Sequence, residues 1–187
     1  MPINVDEDPR NAGWVRELAE RGRHGRASYR INGEVPTMGS IILVPASPED
    51  WTVEGGEEAE ALHVTLKYLG PADNYDEEAR SKIERIVGSV AYEAGEFYAE
   101  VSEQETLGPK NARVLVLESE KIDRFRQALV DRLSAEEGLV IPIDAYPTFL
   151  AHMTLSYGEA DLDEFVGDVV IFDRVRVCWG SEYAEYG

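Results

Sequence analysis

A six-residue frame occurs twice in this 187-residue chain. The first copy reads His63-Val64-Thr65-Leu66-Lys67-Tyr68. The second reads His152-Met153-Thr154-Leu155-Ser156-Tyr157, and Gly70 and Gly158 stand close behind the two copies. The shared pattern is H-x-T-L-x-Y. The chain has only three histidines, and two of them occupy this frame. The repeat is read as an internal duplication that brings two matching sites together.

Each copy is rich in Val, Leu, Thr and Tyr and closed by Gly, as strands are. Side chains of a regular strand alternate between faces. Strict alternation places His63, Thr65 and Lys67 on one face and Leu62, Val64, Leu66 and Tyr68 on the other. In the second copy it groups His152, Thr154 and Ser156 against Met153, Leu155 and Tyr157. Each strand then has one apolar face for a core and one face carrying imidazole, hydroxyl and a further polar group. Imidazole is the side chain best suited to proton transfer near neutral pH.

Two H-x-[TS]-x motifs on two strands, one per half of a chain of this size, resemble the two-histidine (2H) phosphoesterases. That superfamily includes the LigT-like RNA phosphodiesterases and phage enzymes that degrade cyclic nucleotide signals. The resemblance covers roughly residues 38–183. It implies a bilobal domain with the histidine faces meeting in a central cleft, and catalysis without a metal or other cofactor. Residue by residue, it assigns the motif positions to His63, Thr65, His152 and Thr154.

Bulk properties narrow the function further. No apolar run approaches the ~20 residues of a transmembrane helix, and the acidic start MPINVDEDPRN has no apolar signal-peptide core. A single cysteine, Cys178, excludes an internal disulfide framework, so a cytoplasmic protein is expected. Lys and Arg total 18 against 37 Asp and Glu, a net charge of −19. Proteins that hold long nucleic acid by its phosphates present basic surfaces. A small nucleotide substrate entering a locally favourable cleft suits this acidic chain better than a long polyanion does.

Residues 1–37 read as an N-terminal appendage. Asp8-Pro9 is expected to open a short helix carrying Trp14 and Leu18; Arg21, Arg23, Arg26 and Arg30 then read as a solvated tail ahead of the alternative of a basic arm approaching a phosphate or a partner, with His24 an exposed bystander. Residues 38–187 read as the domain. Strands are expected over 39–45, both motifs, 97–101, 112–117, 139–143 and 169–179. Helices are expected over 76–93, capped by Asn74 with Glu77, from 120 to Gly138, and briefly near Asp161. Helices and strands without strict βαβ alternation point to an α+β fold. With the duplication, this becomes two antiparallel sheets related by a pseudo-two-fold, helices outside and a cleft between.

Two imidazoles on opposite sides of a phosphorus suit in-line cleavage of a phosphodiester: one takes a proton, the other gives one. Thr65 and Thr154 are placed to donate to the non-bridging oxygens. Lys67 would add a cation, with Ser156 as its neutral counterpart. Tyr146, Phe149, Trp51 and Trp179 either stack on a base or belong to the core. Two histidines with a distant carboxylate could also anchor zinc, but a threonine two residues on has no part in a metal shell. The expected activity is metal-independent cleavage of a cyclic nucleotide or small cyclic oligonucleotide. The alternatives are a 2′-5′ RNA or RNA-end phosphodiesterase, and a nucleotide-binding module that captures without cleaving.

Overall fold

The computed structural model describes residues 37–187. The expected N-terminal helix, basic arm and His24 lie outside the described residues. Seven strands and two helices run in the order β1 (Met38–Pro45), β2 (Val64–Pro71), α1 (Glu77–Ala94), β3 (Phe97–Leu107), β4 (Ala112–Glu118), α2 (Glu120–Ala135), β5 (His152–Ser156), β6 (Val169–Trp179) and β7 (Glu182–Tyr186).

Local chemistry explains both helices. Asp76, rather than Asn74, caps α1, its carboxylate accepting from the Ala79 N–H at 2.8 Å. Glu77 and Glu78 in the first turn complement the helix dipole. Ile83, Ile86, Val87 and Val90 recur at helical spacing and are buried. The helix ends at Gly95, whose φ of 62° is costly for any side chain with a Cβ. Ser119 caps α2, which buries Ile122, Phe125, Leu129 and Leu133. Phe125 meets Phe97 of β3 edge-on, with ring centroids 4.8 Å apart.

Every strand pairing is antiparallel, in the order β1-β2-β5-β4-β3-β6-β7. The α+β class holds, and the two halves are joined rather than separate. The half β7-β6-β1-β2 meets the half β5-β4-β3 at two places. The start of β6 pairs with β3 through Val169 to Phe172, while the rest of β6 pairs with β1. At the other junction β2 touches β5 through a single pair, Val64 with Met153. The sheet therefore closes on itself through β6.

One face of this sheet carries the core. Ile41, Leu43, Val64, Leu66, Leu115, Leu117, Met153, Val175 and Val177 join the buried residues of both helices in one hydrophobic cluster. Ile42, Val44, Val114 and Val116 are also buried but stand outside that cluster, on the opposite face. No helix among the described residues is long and apolar enough to cross a membrane.

Several boundaries differ from expectation. Strand β3 runs on to Leu107, because its cross-strand pairing with β4 continues to Ala112. Residues 139–143 form no strand. They run irregularly past β2, and the carbonyls of Val140 and Pro142 accept from the Tyr75 hydroxyl and the Lys67 ammonium. The short helix near Asp161 is a single 3-10 turn, Asp163–Phe165. Strand β7 was not expected, since its sequence Glu-Tyr-Ala-Glu-Tyr is too polar to stand out as a strand.

Leu129 is fully buried between α2 and the sheet. Leu129→Ala is expected to cost about 2–5 kcal/mol of unfolding free energy, measured by urea denaturation with an unchanged m-value.

Candidate active site

The contact between β2 and β5 sets the site. Val64 and Met153 are directly paired on the core face. Carried one residue to either side, the antiparallel register sets His63 beside Thr154 and Thr65 beside His152, on the opposite face. The two copies of the frame thus meet about a local two-fold between Val64 and Met153. The two histidines then stand diagonally across this pair, one on each motif strand. The flanking strands supply an apolar border. Ile42 pairs with Thr65, Val114 with Thr154 and Val116 with His152.

Both histidines make the same local bond. His63 Nδ1 lies 2.6 Å from the carbonyl oxygen of Ala61, and His152 Nδ1 lies 2.8 Å from that of Leu150. A carbonyl oxygen only accepts, so each Nδ1 carries a hydrogen and donates. The neutral ring then keeps its lone pair on Nε2, and this bond fixes both the tautomer and the ring orientation. Burial pushes the His152 pKa below its ordinary value, against a smaller upward pull from the Leu150 carbonyl.

Two expected members of this face are not on it. In β2, Ile42 pairs with Thr65 and the adjacent Ile41 pairs with Lys67, so Leu66 is an extra residue, a β-bulge. In β5, Val114 pairs with Thr154 and Arg113 with Ser156, so Leu155 is extra in the same way. One inserted residue shifts the parity of everything after it. Lys67 and Ser156 therefore turn to the face opposite the histidines and are buried there. Tyr68, paired with Ser40 on the side of Ile42, moves onto the histidine face. Each bulge leaves a carbonyl outside the ladder, and each finds a partner. The Leu66 oxygen accepts from Arg126 Nε at 3.3 Å, and the Leu155 oxygen accepts from the Glu57 N–H at 2.8 Å. The second approach requires Gly56, where a Cβ would lie 2.4 Å from the Leu155 oxygen.

Lys67 is instead committed to Asp144. Its ammonium meets the Asp144 carboxylate and donates to the Pro142 carbonyl at 2.7 Å, and Arg126 meets the other carboxylate oxygen. This cluster binds the segment between α2 and β5 to the edge of β2. Phe149 belongs to it, with Arg126 stacked 4.8 Å above its ring.

Trp51 and Trp179 are core residues. Trp51 is buried and packs on Phe165 at 5.5 Å. Trp179 is buried between β6 and α1, against Tyr75 at 5.5 Å, with Nε1 donating to Glu84 at 2.9 Å. Tyr146 is exposed on the segment leading to β5.

Sequence reasoning passed over Arg174 and Arg176. On β6 they pair with Val44 and Ile42, so they share the histidine face, two strands from His63 and Thr65. The signal was the alternation Arg-Val-Arg-Val-Cys-Trp at 174–179. A cavity of about 610 Å³ lies beyond the end of β5, lined by Thr106, Asn111, Arg113, Tyr157 and Asp161 among others, and touches neither histidine. Among the described residues no group of three His, Cys, Asp or Glu side chains could hold a metal ion.

A model of the 2′-5′ RNA ligase superfamily matches residues 54–171. Among solved structures, E. coli LigT in its apo form is 14% identical with a TM-score of 0.51, covering 81% of this chain and 95% of that one. E. coli LigT complexed with 3′-AMP is 14% identical with a TM-score of 0.50, covering 81% and 94%. A structure described as a phosphoesterase is 15% identical with a TM-score of 0.51, covering 81% and 95%. At these identities the likeness is one of fold. The sequence matches no curated protein.

The placement of Lys67 has a direct test. Lys67→Met keeps the aliphatic stem and leaves Asp144 its arginine, so kcat should stay within about 3-fold of wild type on any substrate the protein turns over. Asp144→Ala, which strands the buried ammonium, should instead cost about 2–3 kcal/mol of stability. That lies below the usual cost of breaking a buried pair because Asp144 is partly solvated. A loss of kcat beyond about 30-fold in a stably folded Lys67→Met protein would return this lysine to the site.

Proposed function

The chain belongs to the 2′-5′ RNA ligase superfamily, the 2H phosphoesterases, and from that premise we propose that it is a metal-independent phosphodiesterase acting on a cyclic nucleotide or small cyclic oligonucleotide. The observation that supports this most is the register of β2 on β5, which sets two His-x-Thr pairs face to face about a local two-fold.

In this reading one phosphate sits over the Val64–Met153 pair, between the two imidazoles. His152 is the base. Burial favours its neutral form, and Nδ1–H is held by the Leu150 carbonyl, so the Nε2 lone pair takes the proton of the attacking water. His63, protonated, delivers a proton from Nε2 to the leaving oxygen, while the Ala61 carbonyl holds its Nδ1–H and supports the cation. The bond from water oxygen to phosphorus forms as the opposite phosphorus–oxygen bond breaks, with one proton taken on one side and one given on the other. The hydroxyls of Thr65 and Thr154 donate to the non-bridging oxygens, where negative charge grows. Ile42, Val44, Val114 and Val116 border the four polar groups with apolar surface, which strengthens each electrostatic contact at the site. In this reading the base of the nucleotide stacks on Tyr146, which is exposed on the segment leading to β5.

A small substrate fits the charge distribution. Glu103 and Glu105 pair with Val116 and Val114 on the border of the same face, and the chain carries a net −19. A long strand crossing that border would be repelled. A short 2′-5′-linked oligonucleotide is the second reading, favoured by the superfamily match itself.

Incubation with 2′,3′-cyclic mononucleotides, cyclic di- and trinucleotides and 2′-5′ oligomers, with product analysis, tests the activity. Turnover is expected, unchanged in chelator, whereas binding without cleavage across the panel would make the protein a nucleotide-capturing module. His63→Ala and His152→Ala should each lower kcat by about 10²–10⁴-fold, with far smaller effects on ligand affinity. The pH profile should be bell-shaped. The base must be neutral and its pKa is lowered, so activity should persist below 6.5, the ordinary imidazole value, before falling on the acid side. An acidic limb centred above 6.5 would contradict His152 as base.

A further inference from the structure

Each bulge does more than turn a side chain aside, because the carbonyl it frees holds the segment that leads into the other motif. In the first copy the Leu66 carbonyl accepts from Arg126 Nε at 3.3 Å. The same guanidinium meets the Asp144 carboxylate through Nη2 and lies 4.8 Å over the ring of Phe149. Asp144 and Phe149 belong to the segment that enters β5. Phe149 stands next to Leu150, whose carbonyl accepts from His152 Nδ1 at 2.8 Å. In the second copy the Leu155 carbonyl accepts from the Glu57 N–H at 2.8 Å. Glu57 leads into the 3-10 turn Ala59–Ala61, which the Ala61 N–H closes on the Glu58 carbonyl at 2.9 Å. The Ala61 carbonyl in turn accepts from His63 Nδ1 at 2.6 Å.

The connections are therefore crossed. The first motif strand holds the carbonyl that aims His152, and the second holds the carbonyl that aims His63. Both routes are short. Glu57 and Ala61 are separated by one tight turn. On the other side Ala151 is tied to β4 by the Leu117 N–H at 2.9 Å, so the Leu150 peptide is fixed from β4 at one end and from Arg126, through Phe149, at the other. The Arg126 side chain is 13% exposed, and its charge-assisted bonds are stronger for being largely out of water. The tolerance is small. A hydrogen bond of 2.8 Å is lost beyond about 3.5 Å, so moving the carbonyl by less than about 1 Å frees the imidazole. The ring can then take either tautomer, since the bond made by one nitrogen decides which nitrogen carries the proton.

We propose that Arg126 is a positioning residue for His152 and that Gly56, through the Glu57 N–H, is one for His63, so that each histidine is aimed from the strand of the other. Both act through a backbone carbonyl and not on the substrate. Gly56 is required because a Cβ there would lie 2.4 Å from the Leu155 oxygen and force Glu57 off it. Lys67 reaches the same segment at Pro142 and Asp144, farther along the chain from His152, which leaves Arg126 with the nearer hold. The effect on rate rests on the phosphodiesterase reading, whereas the effect on the rings does not.

Ring-nitrogen NMR of folded variants tests this one ring at a time. Arg126→Met keeps an aliphatic stem against Phe149 and leaves Asp144 to Lys67. It should give His152 a mixture of Nδ1–H and Nε2–H tautomers while His63 keeps Nδ1–H. Gly56→Ala should do the converse. Arg126→Lys keeps a charge for Asp144 but loses the fork, so it should disturb His152 less, and it serves as the second variant if Met disturbs folding. On any substrate the protein turns over, Arg126→Met and Gly56→Ala should each lower kcat about 10–100-fold, the scale of a group misplaced by about 1 Å, with KM within about 3-fold. A purely structural role would lower the Tm and leave both tautomers as in wild type. That result, or an equal response of both rings to either single variant, would overturn the proposal. The crossed response in a protein that cleaves no nucleotide would instead leave the positioning standing and remove the enzymatic reading.

Discussion

A single pair of residues, Val64 against Met153, carries the contact between the two motif strands. Because it is one pair and not a full ladder, β2 and β5 diverge on either side of it, and the polar face between them stays open. Because the pair is antiparallel, each histidine faces the threonine of the other copy. The core on the far side, where Val64 and Met153 are fully buried with both helices, holds that geometry in place. The closure of the sheet through β6 fixes the two halves relative to one another. A slip of one residue at this point would send both imidazoles into the core, so the whole candidate site depends on a register that the apolar face enforces.

The matching bulges at Leu66 and Leu155 do a second piece of sorting. Without them each strand would present a polar group beyond its threonine on the same face. With them, Lys67 and Ser156 pass to the buried side, and Lys67 ties the segment between α2 and β5 to β2 through Asp144. The bulge carbonyls are satisfied by Arg126 in one half and by the Glu57 N–H in the other. The centre of the face is left with two imidazoles and two hydroxyls. On the flanks of this face Arg176 is paired with Glu185 and Arg174 with Asp173 beside β6, while Glu103 and Glu105 stand on β3, and there the two halves differ.

The duplicated frame, both long helices and most strands were legible in the sequence because each rests on a periodic pattern. His63, Thr65, His152 and Thr154 share a face as strict alternation requires, since they precede the bulge in each copy. Lys67, Ser156 and Tyr68 were misplaced because a bulge is set by pairing between strands, and nothing local in Thr-Leu-Lys or Thr-Leu-Ser announces it. Trp51 and Trp179 offered aromatic area but not its direction. The place of Arg174 and Arg176 on the histidine face was hidden for another reason: their alternation within β6 was visible, but the face they share depends on β6 lying beside β1, a pairing between residues more than a hundred positions apart.

The central claim is that both imidazoles, each with Nδ1–H bonded to a backbone carbonyl, address one phosphate. With three histidines in the chain, ring-nitrogen NMR of ¹⁵N-labelled protein measures this directly, and His24 serves as the reference outside the motifs. The account predicts the Nδ1–H tautomer for both neutral motif histidines. It also predicts that titration with inorganic phosphate shifts the Nε2 resonances of His63 and His152 along one common curve at one equivalent, with His24 unmoved. A Nε2–H tautomer in either ring, or shifts that follow two separate binding curves, would contradict it.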